Sequence, residues 1–375
     1  MSGTLFEPVA IGSLSLPNRL VRSATWEGMC EDDGRPTARL ARLYRDLVRG
    51  GVGLVISGYT FVRADGRQLP GKMGIHADEL LPALTELTGA VHEAGGRIFC
   101  QLVHAGAQTT AKVIGQSPLA PSAVQAPNYP EMPRELSIAE IGELATAFAE
   151  GAGRAQLAGF DGVQLHGAHG YLINQFLSPL MNRREDAYGG SLANRMRFLE
   201  EVCTAVRRQV GPDYPVAIKL TAADHLEGGF EFAEAMQVAQ RLEELGIDAI
   251  EISSGTAASG REGPVRQGID RPEQEAYNAL YARRLKEAVG VPIMVVGGLR
   301  SGAVLQRLLQ DGEADLFSLA RPLIRQPDLV NRWRQDESSR ATCISCNGCF
   351  RPGLRGEGIY CVVDRIEAEN RSIEV

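Results

Sequence analysis

Residues 37–58 read TARLARLYRDLVRGGVGLVISG and join two patterns that decide the fold. The first part has apolar side chains at helical spacing. One face of the predicted helix is formed by these side chains, which are those of Leu40, Leu43, Tyr44, Leu47 and Val48. Gly50 and Gly51 predict the end of this helix, because glycine is common just past a helix C-terminus. The second part, VGLVISG, is apolar on both faces, which is typical of a strand buried in a parallel sheet.

The same alternation continues along the chain, with eight short runs rich in Val, Ile and Leu between longer segments of helical spacing. The runs are RLVRSA (19–24), VGLVISG (52–58), RIFCQLVH (97–104), GVQLHGA (162–168), PVAIKLTA (215–222), AIEISSG (249–255), PIMVVGG (292–298) and DLFSLARP (315–322). Ser137 and Glu140 have capping-box spacing at the start of one intervening helix. Eight strand–helix units predict an α/β fold, a (β/α)8 TIM barrel from about Leu20 to Trp333. An open, doubly wound sheet is the alternative.

The composition is that of a globular protein, with 44% hydrophobic residues, 23% charged residues and a net charge of -7. The negative charge argues against a nucleic-acid partner, because phosphate binding needs clustered Lys and Arg. The sequence contains no apolar run of membrane-spanning length and no pattern of a secretory signal. We therefore expect no membrane partner and a cytoplasmic location.

Four of the seven cysteines lie close together near the end of the chain. They follow a Cys-x2-Cys-x2-Cys-x11-Cys pattern and are Cys343, Cys346, Cys349 and Cys361. In a cytoplasmic protein this spacing fits an iron–sulfur cluster or structural zinc, with free cysteines as the remaining alternative. The pattern predicts a cysteine-rich extension, residues 336–375, after a barrel domain of residues 1–335.

The ends of the predicted strands indicate where a ligand binds, because barrel active sites lie where strands end and loops begin. Gly297 and Gly298 follow the seventh strand, and Arg321 follows the eighth. Glycine lets backbone N–H groups approach an anion, and a helix starting near Ser301 would add its dipole. These features indicate a phosphate site for a substrate or a cofactor, with ordinary turns as the alternative. No GxGxxG motif follows the first strand, so a separate dinucleotide-binding domain is not predicted.

Residues 161–179, DGVQLHGAHGYLINQFLSP, place His166, His169 and Tyr171 at the end of the predicted fourth strand. A metal site would need the histidines at helical i, i+4 spacing or with further ligands nearby, and this stretch offers neither. In a second interpretation, the two histidines lie at the rim of the barrel with their hydrogen bonds satisfied and have no chemical role. A catalytic cluster is the third, and these residue types suit hydrogen-bond donation and proton transfer.

Five stretches in order along most of the chain resemble the old yellow enzyme family of FMN-dependent ene-reductases. They are LPNRLVRSA (16–24), QLVHAGAQ (101–108), HGAHGYLINQFLSPLMNRREDAYGGSLANRMRF (166–198), LEGGF (226–230) and LARPLI (319–324). The resemblance implies that residues 1–335 form an FMN-binding barrel. It also implies NAD(P)H as the reductant and, as the substrate, a small α,β-unsaturated carbonyl compound whose C=C bond is reduced.

The resemblance further implies which residues bind FMN. They are Ser23, Ala24, Thr25, Gly58, Gln101, Lys219, Gly297, Gly298, Ala320 and Arg321. The first four would line the flavin and the last four would bind its phosphate. Gln101 would bond the pyrimidine edge, and Lys219, where the family usually has arginine, would lie beside N1 and C2=O. Trp26 stands where the family often has Cys or Thr, so its bulk would reshape the pocket.

For the histidine cluster, the resemblance implies that His166 and His169 donate hydrogen bonds to the carbonyl oxygen of the substrate. Tyr171 would protonate the α-carbon as a general acid. The dienoyl-CoA reductase branch of the family instead uses a histidine after the sixth strand. The loop at 253–268 has no histidine, which favours the paired-histidine mode.

The cysteine stretch resembles the 4Fe–4S motif that follows the barrel in trimethylamine dehydrogenase and dienoyl-CoA reductase. In those two enzymes the cluster exchanges electrons with FMN. In this sequence, structural zinc stays the second alternative for the four cysteines. Those relatives continue into further nucleotide-binding domains, whereas this sequence stops at Val375. We therefore expect a separate electron-transfer protein as a partner, or direct reduction by NAD(P)H, and a homo-oligomer is compatible with the sequence. An amine or C–H dehydrogenase and a flavin electron-transfer subunit are the alternative functions.

Overall fold

In the computed structural model, which describes residues 3–373, eight parallel strands close into a barrel. In chain order they are β1 to β8: Leu20–Arg22, Leu54–Ile56, Ile98–Val103, Gly162–Gly167, Val216–Thr221, Ala249–Ser253, Ile293–Val296 and Leu316–Leu319. Each strand pairs with its neighbours in the chain, and β8 pairs with β1. The predicted (β/α)8 TIM barrel is therefore confirmed, and the doubly wound alternative is wrong.

Eight helices follow the strands and cover the outside of the barrel. They are α1 to α8: Ala38–Arg49, Leu81–Glu93, Ile138–Leu157, Leu192–Val210, Phe232–Glu244, Ala279–Lys286, Gly302–Gln310 and Leu329–Gln335. The Thr37 hydroxyl accepts a hydrogen bond from the Leu40 N–H at the start of α1, and Gly50 follows its last residue. Ser137 and Glu140 form the predicted capping box before α3.

The interior of the barrel is apolar at the end where the strands begin. A hairpin of two short strands, Val9–Ile11 and Leu14–Leu16, packs against this end. Ile11 and Leu16 of the hairpin share a buried cluster with residues early in the barrel strands, including Phe99. This end is closed by apolar packing, so a polar ligand has access only where the strands finish.

The remaining elements lie in the loops or in the extension, and all but the 12-residue helix Val362–Ile373 are short. They are the strands Thr60–Phe61, Leu119–Ala120 and Arg134–Glu135, the helices Ala111–Ile114, Leu172–Leu177, Arg321–Arg325, Phe350–Leu354 and Val362–Ile373, and the 3-10 helices Ala64–Gly66, Asp78–Leu80, Gly260–Glu262 and Pro272–Gln274. Helix α8 ends at Gln335, and the division into a barrel domain and an extension after this residue stays a prediction. Residues 1–2 and 374–375, at the outer ends of the two predicted domains, lie outside the described residues. Within 3–373, the helices are all too short or too polar to cross a bilayer.

Candidate active site

A cavity of about 620 Å³ opens where the barrel strands finish, which is within the usual size range of ligand sites. Most of the predicted site residues line it together: Ser23, Ala24, Thr25, His166, His169, Tyr171, Lys219, Gly297, Gly298, Ala320 and Arg321. Gly58 and Gln101 do not line this cavity. The Gly58 N–H instead donates to the Tyr44 hydroxyl at 2.8 Å, behind the first two strands.

A chain of buried polar side chains connects Gln101 with the cavity. Lys219 Nζ donates to Ser23 Oγ at 2.8 Å and lies 3.2 Å from Glu251 Oε2. Ser23 Oγ also donates to Glu251 Oε1, at 2.7 Å. Gln164 Nε2 donates to Glu251 Oε2 at 3.0 Å, and Gln101 Nε2 donates to Gln164 Oε1 at 2.6 Å. Lys219 is therefore paired with a fully buried carboxylate that the sequence did not reveal.

Strand register explains why these side chains meet. Lys219 of β5 lies opposite His166 of β4 and Glu251 of β6. In neighbouring parallel strands, residues in register point to the same face of the sheet. The histidine, the lysine and the glutamate therefore form one row across three strands.

The residues at the cavity fit FMN. Ser318 Oγ lines the cavity, and both it and Gln101 Oε1 are buried without a hydrogen-bond partner in the described part of the chain. Such atoms are rare unless a ligand or water satisfies them. Gly297 and Gly298 have φ of 141° and 69°, and a Cβ on Gly297 would lie 2.7 Å from the Tyr277 ring. This part of the cavity wall therefore requires glycine, whose exposed backbone can approach a phosphate.

An internal carboxylate lies beside the start of α7. The helix begins after Ser301, and the Glu275 carboxylate accepts the N–H groups of Arg300 and Ser301, at 2.7 and 3.0 Å. These two amides are therefore already paired, and a contribution of the helix dipole to a phosphate site stays a prediction. The guanidinium of Arg321 is held by the Arg266 carbonyl and by Asn347 Oδ1, at 2.8 and 2.7 Å.

His166, His169 and Tyr171 form one cluster at the end of β4. The ring centres of His166 and His169 lie 5.2 Å apart, and those of His166 and Tyr171 lie 4.7 Å apart. His169 has a positive φ of 62°, which turns the chain directly after the strand. His166 Nδ1 accepts from the Ala168 N–H at 3.3 Å, and His169 Nε2 shares a hydrogen bond with Ser253 Oγ at 2.8 Å.

Both histidines are neutral near pH 7. Burial lowers the pKa of His169 to about 3, and the positive charge of Lys219 adds to this effect. Burial also lowers the pKa of His166 well below its usual value, with further contributions from His169 and Lys219. A neutral imidazole has one N–H donor, and because His166 Nδ1 accepts, its donor is Nε2. The cluster therefore supplies fixed hydrogen-bond donors without a net charge.

Tyr171 is surrounded by residues of the loop that follows β2, which the sequence did not predict. Its hydroxyl donates to Gln68 Oε1 at 2.9 Å, and Tyr59 and Lys72 lie beside it. Burial, followed by the charge of Tyr59, raises the pKa of Tyr171 well above 10. Loop residues have no periodicity, so only their position after a barrel strand could have suggested a role.

The cysteine-rich extension forms part of the cavity wall. Trp26, Phe350 and Leu354 all line the cavity. A Cβ on Gly353 would lie 3.0 Å from the Trp26 ring, so the two residues are in close contact. The bulk of Trp26 therefore packs against the extension as well as facing the cavity.

A second and much smaller cavity, of about 20 Å³, is lined by Cys343, Cys346, Cys349 and Cys361. It has room for about one water molecule. The four cysteines are unpaired, and Arg321 lines this cavity as well as the large one. Within residues 3–373, no three or more His, Cys, Asp or Glu side chains are arranged to hold a metal ion. The thiols surround one cavity, and a cluster or zinc at this place stays a prediction.

Residues 4–339 match the model of the NADH:flavin oxidoreductase / NADH oxidase family. The chain belongs to this family. It is 37% identical over 352 residues to an NADH oxidase of Thermoanaerobacter brockii, covering 92% of this chain and 53% of that protein. It is 38% identical over 328 residues to an NADPH dehydrogenase of Geobacillus sp. (strain WCH70), covering 87% and 92%. The chain thus spans about half of the first relative and most of the second.

Several solved structures are similar along nearly the whole chain. A 2-naphthoyl-CoA reductase in complex with 2-naphthoyl-CoA has a TM-score of 0.90 at 29% identity, covering 98% of this chain and 58% of that chain. The old yellow enzyme homologue of Zymomonas mobilis has a TM-score of 0.78 at 29% identity, covering 92% and 96%. Histamine dehydrogenase of Rhizobium sp. 4-9 has a TM-score of 0.84 at 26% identity, covering 95% and 51%. The resemblance to old yellow enzymes is therefore confirmed, and the family supports FMN and NAD(P)H as cofactors.

Proposed function

We propose that the chain is an FMN-dependent ene-reductase, which uses NAD(P)H to reduce the C=C bond of an α,β-unsaturated carbonyl compound. The observation that carries this proposal is the cluster of His166, His169 and Tyr171 on one wall of the cavity. It joins two neutral imidazoles with a phenol, which are the groups needed to bind a carbonyl oxygen and to deliver a proton.

When bound, FMN supplies the hydride that adds to the β-carbon of the alkene. Lys219 would lie beside the pyrimidine edge of the flavin. Gln101, which is connected to Lys219 through Gln164 and Glu251, would bond the same edge with Oε1, which has no other partner in the described residues. Gly297, Gly298 and Arg321 would hold the phosphate. Ser23, Ala24, Thr25, Gly58 and Ala320 complete the proposed cofactor set.

The two histidines would bind the carbonyl oxygen of the substrate. His166 donates from Nε2, because Nδ1 accepts from the backbone. His169 donates from Nδ1 when the Ser253 hydroxyl donates to its Nε2. Donors that are fixed before the reaction stabilise the negative charge that develops on this oxygen. Because both rings have lowered pKa values, they remain neutral donors and do not need to lose a charge during turnover.

Tyr171 would donate the proton to the α-carbon. Its O–H bond breaks, a C–H bond forms, and the electron pair stays on the phenolic oxygen. The raised pKa of Tyr171 keeps the phenol protonated before the reaction. The enolate carbon is a strong enough base to take a phenolic proton.

The test is anaerobic reduction of the FMN-loaded protein by NADPH or NADH, followed by rapid mixing with 2-cyclohexenone. We expect fast reoxidation of the flavin, seen as recovery of its visible absorbance. Tyr171→Phe should slow this step by about 100-fold or more, the usual contribution of a general acid, and leave flavin reduction unchanged. His166→Ala should weaken the binding of phenols to the oxidised protein. No reoxidation of the wild-type protein by cyclohexenone would contradict the proposal.

An amine or C–H dehydrogenase, or a flavin electron-transfer subunit, is the second candidate. The observation that favours it is the set of four free cysteines around one cavity, with Arg321 between this cavity and the large one. The similarity to histamine dehydrogenase agrees with it. In this candidate an iron–sulfur cluster in the extension exchanges electrons with a separate protein. A homo-oligomer and a cytoplasmic location also stay predictions.

Metal and sulfide assays of anaerobically purified protein separate these candidates. About four iron and four sulfide per chain indicate a 4Fe–4S cluster, and about one zinc indicates a structural site. Reduction of the flavin by an amine without NAD(P)H supports a dehydrogenase. If the flavin is neither reduced by an amine nor reoxidised by cyclohexenone, the electron-transfer subunit is the remaining candidate.

A further inference from the structure

Gln68 holds the hydroxyl of Tyr171 in place. Gln68 Oε1 accepts from the hydroxyls of Tyr171 and Tyr59, both at 2.9 Å, and from Lys72 Nζ at 3.1 Å. At its other end, Gln68 Nε2 donates to the Tyr129 hydroxyl at 2.8 Å. A carbonyl oxygen has two lone pairs, so three donors leave it no capacity for further partners. The amide is fixed at both ends, directly beside the proposed proton donor.

Lys72 brings a buried amine to the same place. Its residue is 2% exposed, and Nζ lies 3.2 Å from the centre of the Tyr59 ring. It lies 5.7 Å from the centre of the Tyr171 ring. A lysine over an aromatic face is attracted by the electron-rich face of the neutral ring, but this attraction is weaker than that of a carboxylate partner. Among the described residues, no carboxylate lies within ion-pair distance of Lys72.

Before proton transfer, the site disfavours a positive charge on Lys72 and a negative charge on Tyr171. Proton transfer would place these two charges close together. Burial lowers the pKa of Lys72 well below its usual value, and the charge of Glu27 opposes this only in part. Burial raises the pKa of Tyr171, which reflects the cost of an isolated phenolate. When Tyr171 gives up its proton, its oxygen becomes an anion close to the lysine. Opposite charges that are buried together stabilise each other strongly.

We propose that Lys72 is a positioning residue for the proton donor, and that its ammonium group balances the phenolate left on Tyr171 after proton transfer. The proposal rests on the proposed function, because it assumes that Tyr171 donates a proton to the substrate. In this step the Tyr171 O–H bond breaks, the α-carbon gains the proton, and the electron pair stays on the oxygen. A proton from water restores the phenol afterwards, so the step requires no net proton transfer from Lys72.

The test uses the FMN-loaded protein and a double-mutant cycle. Lys72→Met removes the charge at similar length, and Lys72→Arg keeps it. Each is made in the wild-type and in the Tyr171→Phe background. Lys112, which is exposed, gives the matched control Lys112→Met. The measured quantities are the rate of reoxidation by 2-cyclohexenone, its solvent deuterium isotope effect, and the rate of flavin reduction by NAD(P)H.

We expect Lys72→Met to slow reoxidation on the order of 10- to 100-fold, the effect of losing a buried charge whose Nζ lies 5.7 Å from the centre of the Tyr171 ring. The isotope effect should rise, Lys72→Arg should restore most of the rate, and flavin reduction should not change. In the Tyr171→Phe background, Lys72→Met should have no further effect. If Lys72→Met does not bind FMN, Lys72→Gln takes its place with the same expectations.

Two results would overturn the role of Lys72 while leaving the proposed function intact. One is an unchanged reoxidation rate in Lys72→Met when Tyr171→Phe is slow. The other is equal slowing in both backgrounds, which would show a structural effect that does not act through Tyr171. If Tyr171→Phe itself reoxidises at the wild-type rate, the proton-donor role fails, and the proposal for Lys72 fails with it.

Discussion

Replacing Lys219 by methionine should destabilise the barrel, because it leaves the Glu251 carboxylate buried without its cation. Glu251 is 0% exposed, and its Oε2 lies 3.2 Å from Lys219 Nζ. Breaking a buried ion pair by removing one partner costs about 3–5 kcal/mol. Ser23 Oγ and Gln164 Nε2 still donate to the carboxylate, so we place Lys219→Met at the lower end, about 3 kcal/mol.

Glu251→Gln should cost less, about 1–2 kcal/mol, because Lys219 lines the cavity and its ammonium can gain water. The double variant Lys219→Met, Glu251→Gln contains neither charge. Its loss of unfolding free energy should therefore be about 2 kcal/mol smaller than the sum of the losses in the two single variants.

Urea unfolding of FMN-free protein, followed by far-ultraviolet circular dichroism, measures these free energies without a contribution from cofactor binding. Lys286 gives the matched control, since its ion pair with Asp315 is partly exposed. Lys286→Met should cost about 1 kcal/mol or less. If the effects of Lys219→Met and Glu251→Gln are additive in the double variant, the two charges do not stabilise each other and the reasoning is refuted.

Three further predictions concern residues around the cavity. Burial raises the pKa of Glu27 from about 4.5 to about 7, so ionising it opposes folding. When the pH rises from 4.5 to 7, the unfolding free energy of the wild-type protein should fall by about 3 kcal/mol relative to that of Glu27→Gln. A difference between the two proteins that does not change with pH in urea unfolding would contradict this. A Cβ on Gly58 would lie 2.2 Å from Glu27 Oε2 and 2.7 Å from the Thr25 carbonyl oxygen. Gly58→Ala should therefore cost about 1–3 kcal/mol in the same assay, and unchanged stability would show that the strand ends can separate. Arg321→Met should weaken FMN binding by roughly tenfold or more in a flavin fluorescence titration, because it removes a positive charge from the cavity wall that the two glycines share. Equal affinity would place the phosphate elsewhere.

The fold and most of the site were predictable from the sequence, because both depend on repeated local patterns. Eight buried runs specify eight parallel strands, and parallel strands finish at one end of a barrel. Residues at the strand ends, such as Ser23, His166 and Gly297, must therefore meet around one cavity. This inference needs neither the strand register nor the paths of the loops.

The residues that the sequence did not reveal depend on register or on irregular loops. Glu251 stands inside an apolar run, and its partner Lys219 is identified only when β5 and β6 are aligned. Gln68 and Lys72 lie in a loop whose path follows no periodicity. Glu275 reaches the start of α7 from another such loop. Each of these contacts joins residues through tertiary packing, which a single sequence does not encode as a spacing.

The contact between Trp26 and Gly353 has a consequence for how the protein is made. Trp26 leaves the ribosome long before Gly353, the residue that packs against its ring. The wall of the cavity is therefore incomplete until the segment around Gly353 has been synthesised. A nascent or prematurely terminated chain can form most of the barrel but presents an open cofactor site. Retention of flavin during translation would thus report that the segment around Gly353 has emerged and docked.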